Sequence, residues 1–150
     1  MIYAVTGAGP RTGTSWTMGK LLEAELPVHW TEHLNVVGAK YDTWYDELPD
    51  LDNVIAKVWP NHLQRASVGR MVVLRRNVTT QVKSIKQQMK RERSNGFIIN
   101  DTPKQLIDRA KWILDNIKIE RMEVRTEDLD DRINEIIEWF SEPFEQVRSG

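Results

Sequence analysis

The 150-residue chain has no cysteine, which excludes a disulfide framework, thiolate catalysis and a cysteine-ligated zinc site. Its three histidines, His29, His33 and His62, are scattered without helical pairing, so no metal site is expected. No apolar run approaches the roughly 20 residues of a membrane helix. An apolar run begins at Ile2 and leaves no room for a leader, so the expectation is a cytoplasmic protein without a membrane partner. Linkers rich in proline, glycine or serine are missing, as are internal repeats. One domain over residues 1–150 follows, long enough to bury a core. Acid is scarce in one stretch: from Arg65 to Arg93, nine Lys and Arg stand against Glu92 alone. From Glu120 to Glu145 the balance reverses, with ten acids against three arginines. Such a basic segment is either a solvated face or a site for a phosphorylated or sulfated ligand. No zinc-finger, basic-zipper or aromatic-rich RNA motif accompanies it, so nucleic acid is not the expected partner.

Four short apolar runs read as strands: Ile2–Val5, Val54–Val58, Met71–Leu74 and Ile119–Val124, with a weaker one through Pro27–Trp30. Helical signals fill the gaps. Thr12 or Thr14 can cap a helix through Met18, Leu21 and Leu22. Asn77 can cap a second, with Val78, Val82, Ile85 and Met89 at helical spacing. Thr102-Pro103-Lys104-Gln105 is a capping box with proline at the first helical position. A last helix carries Leu129, Ile133, Ile136, Ile137 and Phe140. Strands alternating with helices predict an α/β fold of three layers, α/β/α, around a parallel sheet of four to five strands. Ligands on such sheets bind at the carboxyl ends of the strands, where Gly7–Ser15 and Arg75–Ser84 both begin.

The loop after the first strand reads Gly7-Ala8-Gly9-Pro10-Arg11-Thr12-Gly13-Thr14-Ser15-Trp16. A glycine-rich turn that opens a helix aims free N–H groups and the positive helix end at one spot, a phosphate-loop arrangement. The ATP and GTP form needs a lysine before its final Ser/Thr and a glycine at the start. Here Thr14 stands at the lysine position, Ala8 at that glycine, and a cation, Arg11, lies inside the loop. A phosphate without bound Mg²⁺ is the better fit.

Three segments in order resemble the sulfotransferases that use 3′-phosphoadenosine 5′-phosphosulfate (PAPS). Pro10-Arg11-Thr12-Gly13-Thr14-Ser15-Trp16 is similar to the family's first motif. Met71–Arg76 with Asn77, and Ser84 eight residues beyond Arg76, is similar to the second. Val124-Arg125-Thr126-Glu127-Asp128-Leu129 followed by Phe140 resembles a weaker third feature. The likeness spans nearly the whole chain and implies a P-loop type nucleotide-binding fold. It also implies sulfuryl transfer from PAPS to a hydroxyl or amine by in-line displacement, with the 3′,5′-diphosphate PAP as product and no metal. The acceptor would be a small molecule or a glycan or peptide hydroxyl. Four departures stand beside it. The chain is short, the family's C-terminal Arg-Lys-Gly-x-x-Gly loop is absent, the Arg-Asn-Pro proline is Val78, and the Tyr-Glu-Asp tyrosine is Thr126. A homo-oligomer that completes the site stays open.

Carried residue by residue, the resemblance places the 5′ end of the donor on Arg11, Thr12, Gly13, Thr14 and Ser15, with Arg11 stabilising the departing phosphate and sulfuryl oxygens. The 3′-phosphate falls to Arg76 and Ser84, with Arg75 the competing arginine. Trp16 either stacks on adenine or joins the core. Lys57 either touches the sulfuryl group or is a strand-end surface lysine. For the general base, Trp59 stands where cytosolic members carry histidine, and His62 follows three residues later. Glu32 lies 21 residues beyond Arg11, the spacing of the tyrosylprotein branch, and is placed ahead of His62. Tyr41, Trp44 and Tyr45 form an aromatic cluster that either packs or borders an acceptor pocket. Two other readings remain: a P-loop kinase or NTPase, and a binding module for PAPS or PAP without turnover.

Overall fold

A computed structural model describes residues 1–29 and 51–149. Five strands, β1 (Ile2–Gly7), β2 (Val28–His29), β3 (Ile55–Lys57), β4 (Val68–Arg75) and β5 (Arg121–Arg125), form one sheet in the order β2-β3-β1-β4-β5. Every pairing is parallel, as in Tyr3 with Ile55, Val5 with Val72 and Leu74 with Val124. All five expected strands are present. β4 is longer than its apolar core suggests, running from Val68 to Arg75.

The sheet is covered on both faces, which explains why Ile2–Val5 of β1 and Met71–Leu74 of β4 are continuously apolar. Side chains alternate across the pleat. Val5, Ile55, Val72, Leu74 and Val124 pack against Met18 and Leu21 of α1 (Thr14–Glu23) and Ile136 and Phe140 of α4 (Leu129–Ser149). Ala4, Ala56, Met71 and Val73 face the other way, toward Leu114 of α3 (Pro103–Asn116). Ile85 and Met89 of α2 (Val78–Ser94) pack on Leu106 and Ile107 of α3. The result is the expected three layers.

Local chemistry sets the helix starts where it was legible. Asn77 Oδ1 accepts from the Thr80 amide, and Thr102 with Gln105 forms the full reciprocal box. Two expectations change. Neither Thr12 nor Thr14 caps α1 with its side chain; the cap is Gly13 in a left-handed conformation, because the loop arrives there already curled. The buried face of α2 is also rotated from the expected apolar stripe. Val78 is exposed, while Gln81, Gln88 and Glu92 are buried beside Ile85 and Met89. No helix among the described residues is long and apolar enough to cross a membrane.

The charge asymmetry is partly consumed inside the fold. Arg70 faces Glu120 and Glu142 and donates to the Trp139 carbonyl, and Arg75 pairs with Glu123 and Asp115. The acidic end of the chain thus neutralises two arginines of β4.

Candidate functional site

The carboxyl ends of β1, β3, β4 and β5 open onto a cleft of about 470 Å³, within the size range of small-ligand sites. Each strand supplies its wall within a few residues of ending. Pro10, Arg11, Gly13, Thr14, Ser15 and Trp16 follow β1; Lys57 and Trp59 close β3; Arg76 follows β4; Thr126, Glu127 and Asp130 follow β5. Gln88 of α2 and Leu129 of α4 complete the lining.

The loop after β1 is curled by three positive φ values, 97° at Gly9, 63° at Arg11 and 96° at Gly13. Arg11 is the costly one, since a non-glycine residue there is strained by about 1 kcal/mol or more. The curl turns Thr12 inward. A Cβ on Gly7 would lie 2.1 Å from Thr12 Oγ1, so only glycine admits that approach. Thr12 is buried beneath the loop, does not line the cleft, and its hydroxyl has no hydrogen-bond partner among the described residues. The expectation that this hydroxyl serves the donor differs from its position. Its carbonyl instead accepts from Thr126 Oγ1 at 2.6 Å. After Gly13, the amides of Thr14, Ser15 and Trp16 have no acceptor within the helix and sit at its positive end.

Gln81, one turn into α2, holds the loop from outside. Its buried Nε2 donates to both the Ala8 and Pro10 carbonyls at 2.9 Å. Arg76 donates to the Arg11 carbonyl at 3.0 Å, and Arg11 Nε donates to Ser84 Oγ at 3.0 Å. Arg11, Arg76 and Ser84, up to 73 positions apart in sequence, therefore meet. This separates the two adjacent arginines of the motif: Arg75 turns to the acids of β5 and α3, and Arg76 to the loop. Arg11 leans toward α2, not toward the start of α1. The cation beside Ser15 is Lys57, whose Nζ donates to Ser15 Oγ at 3.0 Å and lies 4.9 Å above the Trp59 ring. Burial, then the guanidiniums of Arg91 and Arg76, push Arg11 below its ordinary value, with Glu92 opposing. A guanidinium keeps its charge even so.

The opposite wall is acidic. Glu127 Oε1 accepts from the Asn77 amide at 2.8 Å, and that bond is the main reason its carboxyl sits below the usual glutamate value. Trp16 is exposed at the cleft mouth, its ring 5.5 Å from Lys20 Nζ, rather than packed in the core. His62 is not brought to the cleft. It lies in the short 3₁₀ turn Pro60–His62, which carries the ring inward to 3% exposure. Glu32, His33, Tyr41, Trp44 and Tyr45 fall outside the described residues. Among the described residues, no cluster of His, Asp and Glu could hold a metal ion.

Gln81, Gln88 and Asp130 were not signalled by any motif, and Thr126 and Glu127 stood in the weaker third segment without a role. Gln81 and Gln88 had a readable sign, because they share a helical face with Ser84 at spacings of three and four. Thr126 and Glu127 depend on contacts across the sheet. A scan against protein-family models and a search of curated proteins find no match to this chain.

Proposed function

We propose that the chain is a sulfotransferase that moves a sulfuryl group from PAPS to a hydroxyl or amine acceptor. The observation that carries this reading is the pair of 3.0 Å bonds linking Arg76 to the Arg11 carbonyl and Arg11 to Ser84. They join a phosphate loop to a second anion-seeking group on one rim, which suits a nucleotide with charge at both its 5′ and 3′ ends. Neither Arg11 nor Arg76 has a carboxylate within ion-pair distance among the described residues, whereas Arg70, Arg75, Arg109 and Arg132 all do. A dianion would relieve the repulsion between them.

In this reading the amides at the start of α1, with the Thr14 and Ser15 hydroxyls, receive the 5′-phosphate. Lys57, fixed on Ser15, neutralises charge on the sulfuryl oxygens, and Arg11 spans from the loop to the 3′ end. The acceptor oxygen attacks sulfur in line, the bond from sulfur to the 5′-phosphate oxygen breaks, and PAP leaves carrying the electron pair. The acceptor's proton passes to a base, assigned to Glu32. Glu127 is poorly suited to that task, because the Asn77 amide holds its carboxylate ionised and occupied. Trp16 offers an exposed ring for adenine.

A calorimetric titration of adenosine 3′,5′-diphosphate against ATP with Mg²⁺ tests the reading. Tighter diphosphate binding without metal is expected, and a preference for Mg²⁺·ATP would replace the proposal with a P-loop kinase or NTPase. Diphosphate binding with no sulfate transfer across a broad acceptor panel would leave a binding module.

A further inference from the structure

Helix α2 carries polar residues where a packing helix would carry apolar ones. Gln81, Ser84, Gln88 and Arg91 are spaced by three, four and three, so they form one stripe along the helix. Gln81 is bonded to the loop, Ser84 to Arg11, and Gln88 lines the cleft, so the stripe faces the site over at least two turns. Arg91 stands one turn beyond Gln88 on that face. Helical side chains lean toward the helix N-terminus, and an arginine there reaches back toward Gln88 and Ser84.

Gln88 cannot supply the missing charge itself. Its Nε2 donates to Glu92 Oε1 at 3.1 Å, and both side chains are buried. Arg91 is exposed and makes no ion pair among the described residues, unlike Arg70 or Arg75. Among neighbouring charges it also perturbs Arg11 more than Arg76 does. Arg11 therefore meets the Ser84 hydroxyl directly, Arg76 reaches the Arg11 carbonyl beside it, and Arg91 stands two turns beyond Ser84 on the same helical face. Ser84 Oγ accepts from Arg11, which leaves its O–H free to donate to an anion.

Resting on the sulfotransferase reading, we propose that Arg91 is the third cation of the 3′-phosphate subsite, reaching back along α2 to a phosphate held by Ser84 and Arg76. The subsite is then built almost wholly within residues 76–91, with Arg11 as its link to the loop. Arg91 acts as a specificity determinant for the 3′-phosphorylated nucleotide and has no part in the transfer step.

The test is calorimetric titration of the full chain and its Arg91→Gln variant with adenosine 3′,5′-diphosphate and with adenosine 5′-monophosphate. The expected result is that Arg91→Gln loses about tenfold in affinity for the diphosphate with little change for the monophosphate. Arg91→Lys should recover part of the loss, and Lys90→Gln, one position round the helix, should leave the ratio intact. Equal weakening of both nucleotides, no weakening of either, or the same loss from Lys90→Gln would each overturn the assignment of Arg91. If the wild-type chain itself binds both nucleotides equally, the sulfotransferase reading fails along with this subsite. Arg91 is exposed, and an unchanged melting temperature confirms that the variant is folded.

Discussion

The two ends of the cleft present hydrogen-bond donors of opposite kinds. At the start of α1 the donors are backbone amides, fixed by a loop with left-handed residues at Gly9, Arg11 and Gly13. Along α2 the donors are side chains on a regular helix with an ordinary Asn77 cap. The first end depends on a curled backbone that glycine at positions 9 and 13 makes possible, with the Lys57–Ser15 bond beside it. The second depends on a few guanidiniums and hardly on the backbone. Screening by salt should divide them in the same way, since exposed charges weaken with ionic strength while a rigid amide cradle keeps its geometry.

Substitutions can break this contrast, beginning with the most damaging. Lys57→Ala should lower turnover about a hundredfold while diphosphate affinity changes little, measured by steady-state sulfate transfer. An equal loss in affinity would make Lys57 a nucleotide anchor instead. Gly13→Ala should cost roughly 1–3 kcal/mol in urea unfolding, because alanine resists a φ of 96° and its Cβ would come within 2.8 Å of Leu129 Cδ1. Unchanged stability would show that the loop tolerates another conformation. Arg76→Ala should remove about tenfold of the preference for a 3′-phosphate and leave binding of adenosine 5′-phosphosulfate nearly intact. That preference should shrink as salt is raised, and a salt-independent preference would contradict a side-chain origin.

The smallest effect concerns Glu127. Its folded-state value is depressed, so its contribution to stability is full above the unfolded glutamate value and disappears as pH falls through the lower folded one. Wild type and Glu127→Gln should therefore differ near neutrality and converge only as pH falls below the usual glutamate range, as followed by thermal melts. Curves that stay parallel down to acid would show that the bond to the Asn77 amide does not stabilise the fold.

Legibility in the sequence followed the range of the interaction. β1 and the core of β4 were readable because burial on both faces leaves an unbroken apolar run. The caps at Asn77 and Thr102 were readable because each partner lies three residues away. The cap of α1 was not, since the threonines look right by type but the curl of the preceding loop gives the position to Gly13. The polar face of α2 was hidden by Val78, Val82, Ile85 and Met89, which mimic an apolar stripe. Only the loop lying across Gln81 shows that burial there is polar. His62 looked available as a base from its place in the chain, but the turn begun by Pro60 carries its ring inside. Which of the adjacent arginines turns to the loop has a non-local cause, the acids on β5 and α3 that hold Arg75.

The bond from the Thr126 hydroxyl to the Thr12 carbonyl closes a span of 114 residues. During synthesis, a ribosome has displayed every amide of the loop after β1 long before it delivers the group that seats one of its carbonyls. Under the proposed reading, nucleotide capture is then a late event in biogenesis, and a growing polypeptide stopped short of β5 should carry a complete motif that holds no ligand.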